Sequence, residues 1–298
     1  MNLRLFKGLT MSFVFLIIGC DDNTQIIEPE NNDTDTGKAD QGTSAPDHVT
    51  EACPDIGIEN GSLNTRYNKK TISLENSDKT YILHTNWWYQ WDGQTVAYDG
   101  LSFTVSNPKN LDVGSVGAPL GYPSLYIGSY SGNASKGSNL PKKVTDIQTI
   151  PTSFHTNAGE LGYSNKNAAY DVWFTAGETP LPMDQYDPGA GGAYLMVWLY
   201  KPTDRQPRGS ISEASHEIEG VEGKWNVWVD PSNPVCISYV ATENFDGLDF
   251  DLNAFIKDSI TNEYGITEEM YLSIIFAGFE IWGGGDGFRV ERFCADVQ

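Results

Sequence analysis

The chain has 298 residues, with 40 acidic against 19 basic side chains and a formal charge of −21. A surface of that sign repels phosphate, which excludes nucleic acid as a partner. The 30 glycines, 15 tyrosines and 8 tryptophans, without long runs of Ala, Leu, Glu and Lys, favour strands and turns over helices.

Residues 1–19 read as an export signal. Arg4 and Lys7 give the positive start, and the apolar core that follows is too short to span a bilayer. It ends Leu16-Ile17-Ile18-Gly19-Cys20, which resembles the lipobox of bacterial lipoproteins, where the cysteine is diacylated after cleavage. That resemblance makes Cys20 the lipidation site. It implies an exported domain tied to the inner or outer membrane by lipid alone, because no other stretch is apolar enough to cross. Residues 20–51 hold Asp, Asn, Thr, Glu, Gly and Pro with almost no aromatic or branched apolar side chains. Such a segment cannot offset its ordering entropy and is expected to be a disordered acidic tether.

Residues 52–298 are expected to form one domain. The runs 81–88, 101–105, 169–174, 194–200, 224–229, 236–240 and 270–282 alternate or stay apolar over strand lengths, with Asn-Gly, Asn-Pro, Asp-Pro and Gly-Gly signals between them. One segment differs: 251–263 spaces Leu252, Phe255, Ile256 and Ile260 at helical intervals, with Asp249 or Asp251 available as a cap. Many strands and one helix predict an all-β jelly roll, a sandwich of two curved antiparallel sheets. With Cys20 lipidated, Cys53, Cys236 and Cys294 allow at most one internal disulfide. Cys53–Cys294 is preferred, since terminal edge strands often lie side by side. A monomer is expected.

The four histidines, His48, His84, His155 and His216, form no ligand pair, and there is no Cys-x-x-Cys, phosphate loop or Gly-x-Ser-x-Gly elbow. Neither metal nor cofactor is expected. Trp87, Trp88, Tyr89 and Trp91 fall within five positions. Alternate members of such a strand face opposite sides, so one side can pack the core while the other offers rings to the apolar faces of sugars. The sharpest local signal is Ile274-Ile275-Phe276-Ala277-Gly278-Phe279-Glu280-Ile281-Trp282, a lone glutamate in an apolar run. Burial would raise its pKa, as a glycosidase needs of the acid that protonates a leaving oxygen.

Several stretches, in order, resemble glycoside hydrolase family 12, the jelly-roll endo-β-1,4-glucanases and xyloglucanases. They are Thr85-Asn86-Trp87-Trp88, Gly121-Tyr122-Pro123-Ser124-Leu125-Tyr126, Asn167-Ala168-Ala169-Tyr170-Asp171-Val172-Trp173, Leu195-Met196-Val197-Trp198-Leu199 with Gln206-Pro207-Arg208-Gly209-Ser210, and Ala277-Gly278-Phe279-Glu280-Ile281-Trp282. The resemblance implies a polysaccharide partner (a β-glucan), Glu280 as acid/base and Asp171 as the carboxylate beside the nucleophile. It also implies Asn86, Trp88, Tyr122, Met196 and Trp282 as substrate contacts. The family's retaining mechanism needs a second glutamate just before Met-Ile-Trp. Here Tyr194 stands there, and a one-residue slip would turn the side chain to the other face. Three readings stay open: Tyr194 attacks as a phenolate, as tyrosine does in sialidases; Asp171 or Asp187 activates water; or the cleft binds glucan without cleaving it.

Overall fold

A computed structural model describes residues 56–88, 93–107, 109, 117–159, 165–203 and 205–298. The signal, the tether, Cys20, Cys53, Tyr89 and Trp91 lie outside the described residues. The first strands are β1 (Asn60–Leu63), β2 (Lys69–Ser73), β3 (Thr80–His84), β4 (Thr95–Asp99), β5 (Ser102–Ser106) and β6 (Ser124–Tyr130). Next come the short β7 (Asn133–Ala134) and β8 (Lys142–Lys143), then β9 (Pro151–Thr156), β10 (Ala168–Thr175), β11 (Ala193–Tyr200) and β12 (Ser210–His216). The last are β13 (Trp225–Asp230), β14 (Val235–Ala241), β15 (Gly247–Asp251), helix α1 (Asn253–Thr261), β16 (Tyr271–Gly278) and β17 (Arg289–Ala295).

These strands make the expected jelly-roll sandwich. One sheet runs β1-β4-β5-β17-β9-β15; the larger runs β12-β13-β14-β11-β10-β16-β6-β3-β2, with β7 and β8 attached to β6 and β16. Pairing is antiparallel except between β11 and β14, which run parallel. Alternation decides which side chains fill the space between sheets. On β10 these are Tyr170, Val172 and Phe174, and on β11 Leu195, Val197 and Leu199; they join Tyr81, Phe103, Phe154 and Phe293 in one core. The intervening residues of the larger sheet, among them Trp173, Tyr194, Met196 and Trp198, make a second cluster on its far face. Both faces of this sheet are therefore apolar, and the far face is where a ligand can be met.

Helix α1 forms where its spacing predicts, burying Phe255 and Ile256 against the core. The Asp251 carboxylate accepts the Asn253 amide at 3.0 Å and the Ile150 amide at 2.6 Å, so it fixes both the helix start and the loop beneath it. Two strand ends differ from expectation. The strand expected over 81–88 stops at His84, and the one expected over 270–282 stops at Gly278. At both ends the chain leaves the ladder because a second segment crowds it. A Cβ on Gly278 would lie 2.1 Å from the Pro123 carbonyl oxygen, and one on Gly121 would lie 2.5 Å from that of Asn86. Asn86 itself adopts φ 45°, a left-handed conformation that asparagine tolerates better than most residues. Cys236 and Cys294 are both disulfide-bonded, so the expectation of a single Cys53–Cys294 bridge with Cys236 left free does not hold; Cys53 lies outside the described residues.

Candidate active site

The register across three neighbouring strands sets the floor of the site. Asp171 on β10 lies opposite Met196 on β11 and Phe276 on β16, and Trp173 lies opposite Tyr194. Tyr130, at the end of β6, closes an aromatic wall: its ring is 5.5 Å from Trp173 and 5.5 Å from Phe276, and those two are 5.4 Å apart. Tyr194 packs edge-on against Trp173 at 5.5 Å. Edge-to-face contacts of this kind hold rings in place beyond what burial alone provides.

The loops past β3 and β16 bring the remaining groups. Asn86 and Trp88 enter from one side, linked by a hydrogen bond from the Trp88 indole N–H to the Asn86 side-chain oxygen at 2.7 Å. Trp87 between them is fully buried in the core, so the aromatic run does split between core and cleft. Tyr122 sits beside them and donates its hydroxyl to the Ala169 carbonyl at 2.8 Å. Glu280 comes from two residues beyond β16 rather than from within the strand, and is 2% exposed. Seven of the eight side chains expected here, all but Trp282, line one cleft together with Tyr130, Trp173 and Phe276.

Trp282 departs from its expected role as a substrate contact. It is fully buried, donates its indole N–H to the Gly117 carbonyl at 2.8 Å, and packs against Trp198 and the Arg205 guanidinium. It supports the floor and does not line the cleft. The chain after Gly278 explains this: Ile281, bridged to Gly121 and Lys166, faces the core, so Trp282 falls in the far-face cluster with Trp198, where Arg205 covers it.

Asn167 was not singled out by sequence, yet it governs Glu280. Its side-chain N–H donates to a Glu280 carboxylate oxygen, its side-chain oxygen accepts the Glu280 amide at 2.9 Å, and its own amide donates to the Glu280 carbonyl at 3.0 Å. A fully buried amide that uses donor, acceptor and backbone on one residue fixes that residue's conformation. Asn167→Ala should lower stability by about 2 kcal/mol, because it leaves buried polar groups unpaired. Urea denaturation measures this, and an unchanged midpoint would refute the clamp.

Burial dominates the electrostatics. It pushes the Asp171 carboxyl up from 3.8 to about 7, partly offset by the neighbouring Trp173 indole N–H. Neither that N–H nor the buried Oδ1 of Asp171 makes a hydrogen bond of normal geometry within the described residues. Burial likewise pushes the Tyr194 phenol well above its ordinary 10, and nearby Asp171 and Asp187 raise it further, against a smaller opposing effect of Arg208. Asp187 is exposed, with its carboxylate turned back to the Gly189 amide at 2.8 Å. It influences Tyr194 but does not line the cleft. The room left beside Glu280 is about 30 Å³, enough for one or two water molecules.

A jelly roll whose far sheet face carries carboxyl groups among aromatic rings defines a protein of the polysaccharide-binding and polysaccharide-cleaving class. The chain belongs to glycosyl hydrolase family 12, whose family model matches residues 79–298. A probable cellulase, Cel12b, of Mycobacterium tuberculosis is 32% identical over 165 residues, which is 54% of this chain and 99% of that protein. A probable xyloglucan-specific endo-β-1,4-glucanase A of Aspergillus clavatus is 32% identical over 126 residues, 40% of this chain and 46% of that protein. Among solved structures, the endoglucanase cel12A from Rhodothermus marinus matches with a TM-score of 0.68 at 29% identity, covering 80% of this chain and 99% of that one.

Proposed function

We propose that this protein holds β-1,4-glucan or xyloglucan chains in its cleft outside the cytoplasm, tethered through lipid on Cys20, without the covalent hydrolysis of its family. The observation that carries this reading is Tyr194. Its buried ring lines the cleft edge-on against Trp173, and its pKa is raised rather than lowered, by burial and then by nearby Asp171. A nucleophile must be available in its ionised form, and burial disfavours that form of Tyr194, which weighs against the phenolate reading. Export and lipidation are supported by residues 1–20, and the glucan by the family.

A second reading is favoured by Asp171. A carboxyl titrating at about 7 is well matched to general-base work near neutral pH, so Asp171 would activate water while Glu280 protonates the leaving oxygen. That route inverts the anomeric centre. The test is reducing-end release from soluble β-glucan and xyloglucan by the purified domain and by Glu280→Gln, alongside retardation of both in glucan affinity gels. Retardation without release supports binding alone. Release that is abolished in Glu280→Gln overturns it, and NMR detection of an α-anomeric first product would assign the single-displacement route.

A further inference from the structure

Next to the cleft, sharing Asn86 and Tyr130 with it, lies a larger cavity of about 440 Å³. Its chemistry differs from everything around it. In a chain with about twice as many acids as bases, the lining carries Lys69 and His84 and, among the described residues, no carboxylate; the rest is Tyr67, Tyr186, Ser131 and Asn133 besides the two shared residues. The fold puts the basic pair together deliberately: Lys69 opens β2, His84 closes β3, and the two are direct cross-strand partners. Such partners project from the same face, here the face of the cleft.

Lys69 is held where its charge is costly. Burial lowers its ammonium to about 8, and among the described residues no acidic side chain lies within salt-bridge distance. It donates to the Tyr130 carbonyl at 2.8 Å and the Ser131 carbonyl at 3.3 Å, and its nitrogen sits 4.6 Å above the Tyr130 ring. An ammonium has three protons, so these two carbonyls leave one to direct elsewhere. His84 is 3% exposed, its Nδ1 has no hydrogen-bond partner, and burial with the neighbouring Lys69 charge drives its pKa well down. The ring is therefore neutral and carries one N–H. A partly desolvated ammonium beside a neutral imidazole, with no described carboxylate to pair it, makes the cavity wall suited to an anion.

We propose that this cavity is a subsite for a sugar carboxylate, so that the protein selects glucan chains bearing uronic acid residues over neutral ones. The carboxylate pairs with Lys69 beside the neutral His84 ring, while Tyr67 and Tyr186 flank the sugar. The identity of the backbone rests on the glucan reading above; the carboxylate selectivity does not. The cavity's continuity with the cleft through Asn86 and Tyr130 lets one chain engage both.

Calorimetric titration with cello-oligosaccharides of equal length, either neutral or oxidised to carboxylate at C6, tests this, with free glucuronate as a third probe. The oxidised chains should bind at least tenfold more tightly than neutral ones at low salt, and the advantage should shrink at 0.5 M NaCl, roughly a Debye length of a few ångströms. Lys69→Met should abolish the preference while leaving neutral binding within about twofold, and Lys69→Arg should retain it; circular dichroism checks that each variant folds. Equal affinity for both chains, or a preference that survives Lys69→Met, overturns the proposal. If glucuronate binds through Lys69 while neither oligosaccharide does, the anion site stands and the glucan reading falls.

Discussion

On the binding reading proposed above, wild-type protein releases no reducing ends from soluble β-glucan, and Tyr194→Glu should release them at least about 100-fold above background. The argument is geometric first. Tyr194 projects from β11 onto the cleft face beside Trp173, one row along from Asp171. A glutamate there would project from the same face, because the side-chain direction is set by strand alternation. It would also be smaller than tyrosine and so relieve the confinement of the roughly 30 Å³ beside Glu280. A carboxylate nucleophile and a separate acid/base are the two parts a retaining glycosidase requires, at about 5–5.5 Å between carboxyl groups. Removing such groups from enzymes costs many powers of ten, and effects within one catalytic unit are strongly non-additive, so restoring the missing member yields a disproportionate gain.

Two controls separate the nucleophile from the space. Tyr194→Gln opens the same room without a carboxylate and should stay inactive, and Tyr194→Glu combined with Glu280→Gln should lose what was gained. Activity in Tyr194→Gln would mean that steric blockage alone had silenced an Asp171-based route. No gain in Tyr194→Glu, with the protein folded, would mean that β11 does not present this position to the reacting sugar. The substitution also removes a ring from the wall, at a cost of about 2–4 kcal/mol in a site that relaxes only partly, so folding is checked at each temperature used.

The fold was largely legible because strand patterning in this chain is strong. β10 and β11 alternate large apolar and cleft-facing residues for eight positions each, and the single helix is marked by spacing and by Asp251. What patterning could not supply was where a strand stops. The ends at His84 and Gly278 depend on chain segments that meet only in three dimensions, at Gly121 and Pro123. This is why Glu280 was expected within a strand and why Trp282, expected in the cleft, points into the floor. Tyr130 and Trp173 could have been found by continuing the alternation along β6 and β10. Asn167 could not, because its value lies in three hydrogen bonds to a residue 113 positions away. His84 reads in sequence as one of four scattered histidines and nothing in the pattern marks Lys69; only strand pairing makes them neighbours.

Asp171→Asn should remove a pH dependence of stability that wild-type protein shows between about pH 4 and pH 7. In the unfolded chain this carboxyl releases its proton near 3.8, whereas burial holds the proton on the folded protein up to about 7. Between those values the folded state binds more protons than the unfolded one, so stability falls as pH rises. The group therefore favours folding fully only below 3.8, and the contribution is gone above about 7. Each pH unit is worth about 1.4 kcal/mol, giving about 4 kcal/mol over the interval, and partial access of solvent to the residue reduces this to about 2–4 kcal/mol. Asparagine keeps the shape and cannot ionise. Urea denaturation at pH 5 and pH 8 should show wild type losing about 2–3 kcal/mol more than Asp171→Asn on going to the higher pH, since all other titrating groups are common to both. Parallel losses would place the Asp171 pKa near its ordinary value and remove the basis for its use as a base near neutrality. The same titration constrains function: only the ionised form can take a proton from water, so any hydrolysis through Asp171 must rise with pH towards about 7 and fall again where Glu280 loses the proton it donates, while binding that depends on shape and stacking follows neither limb.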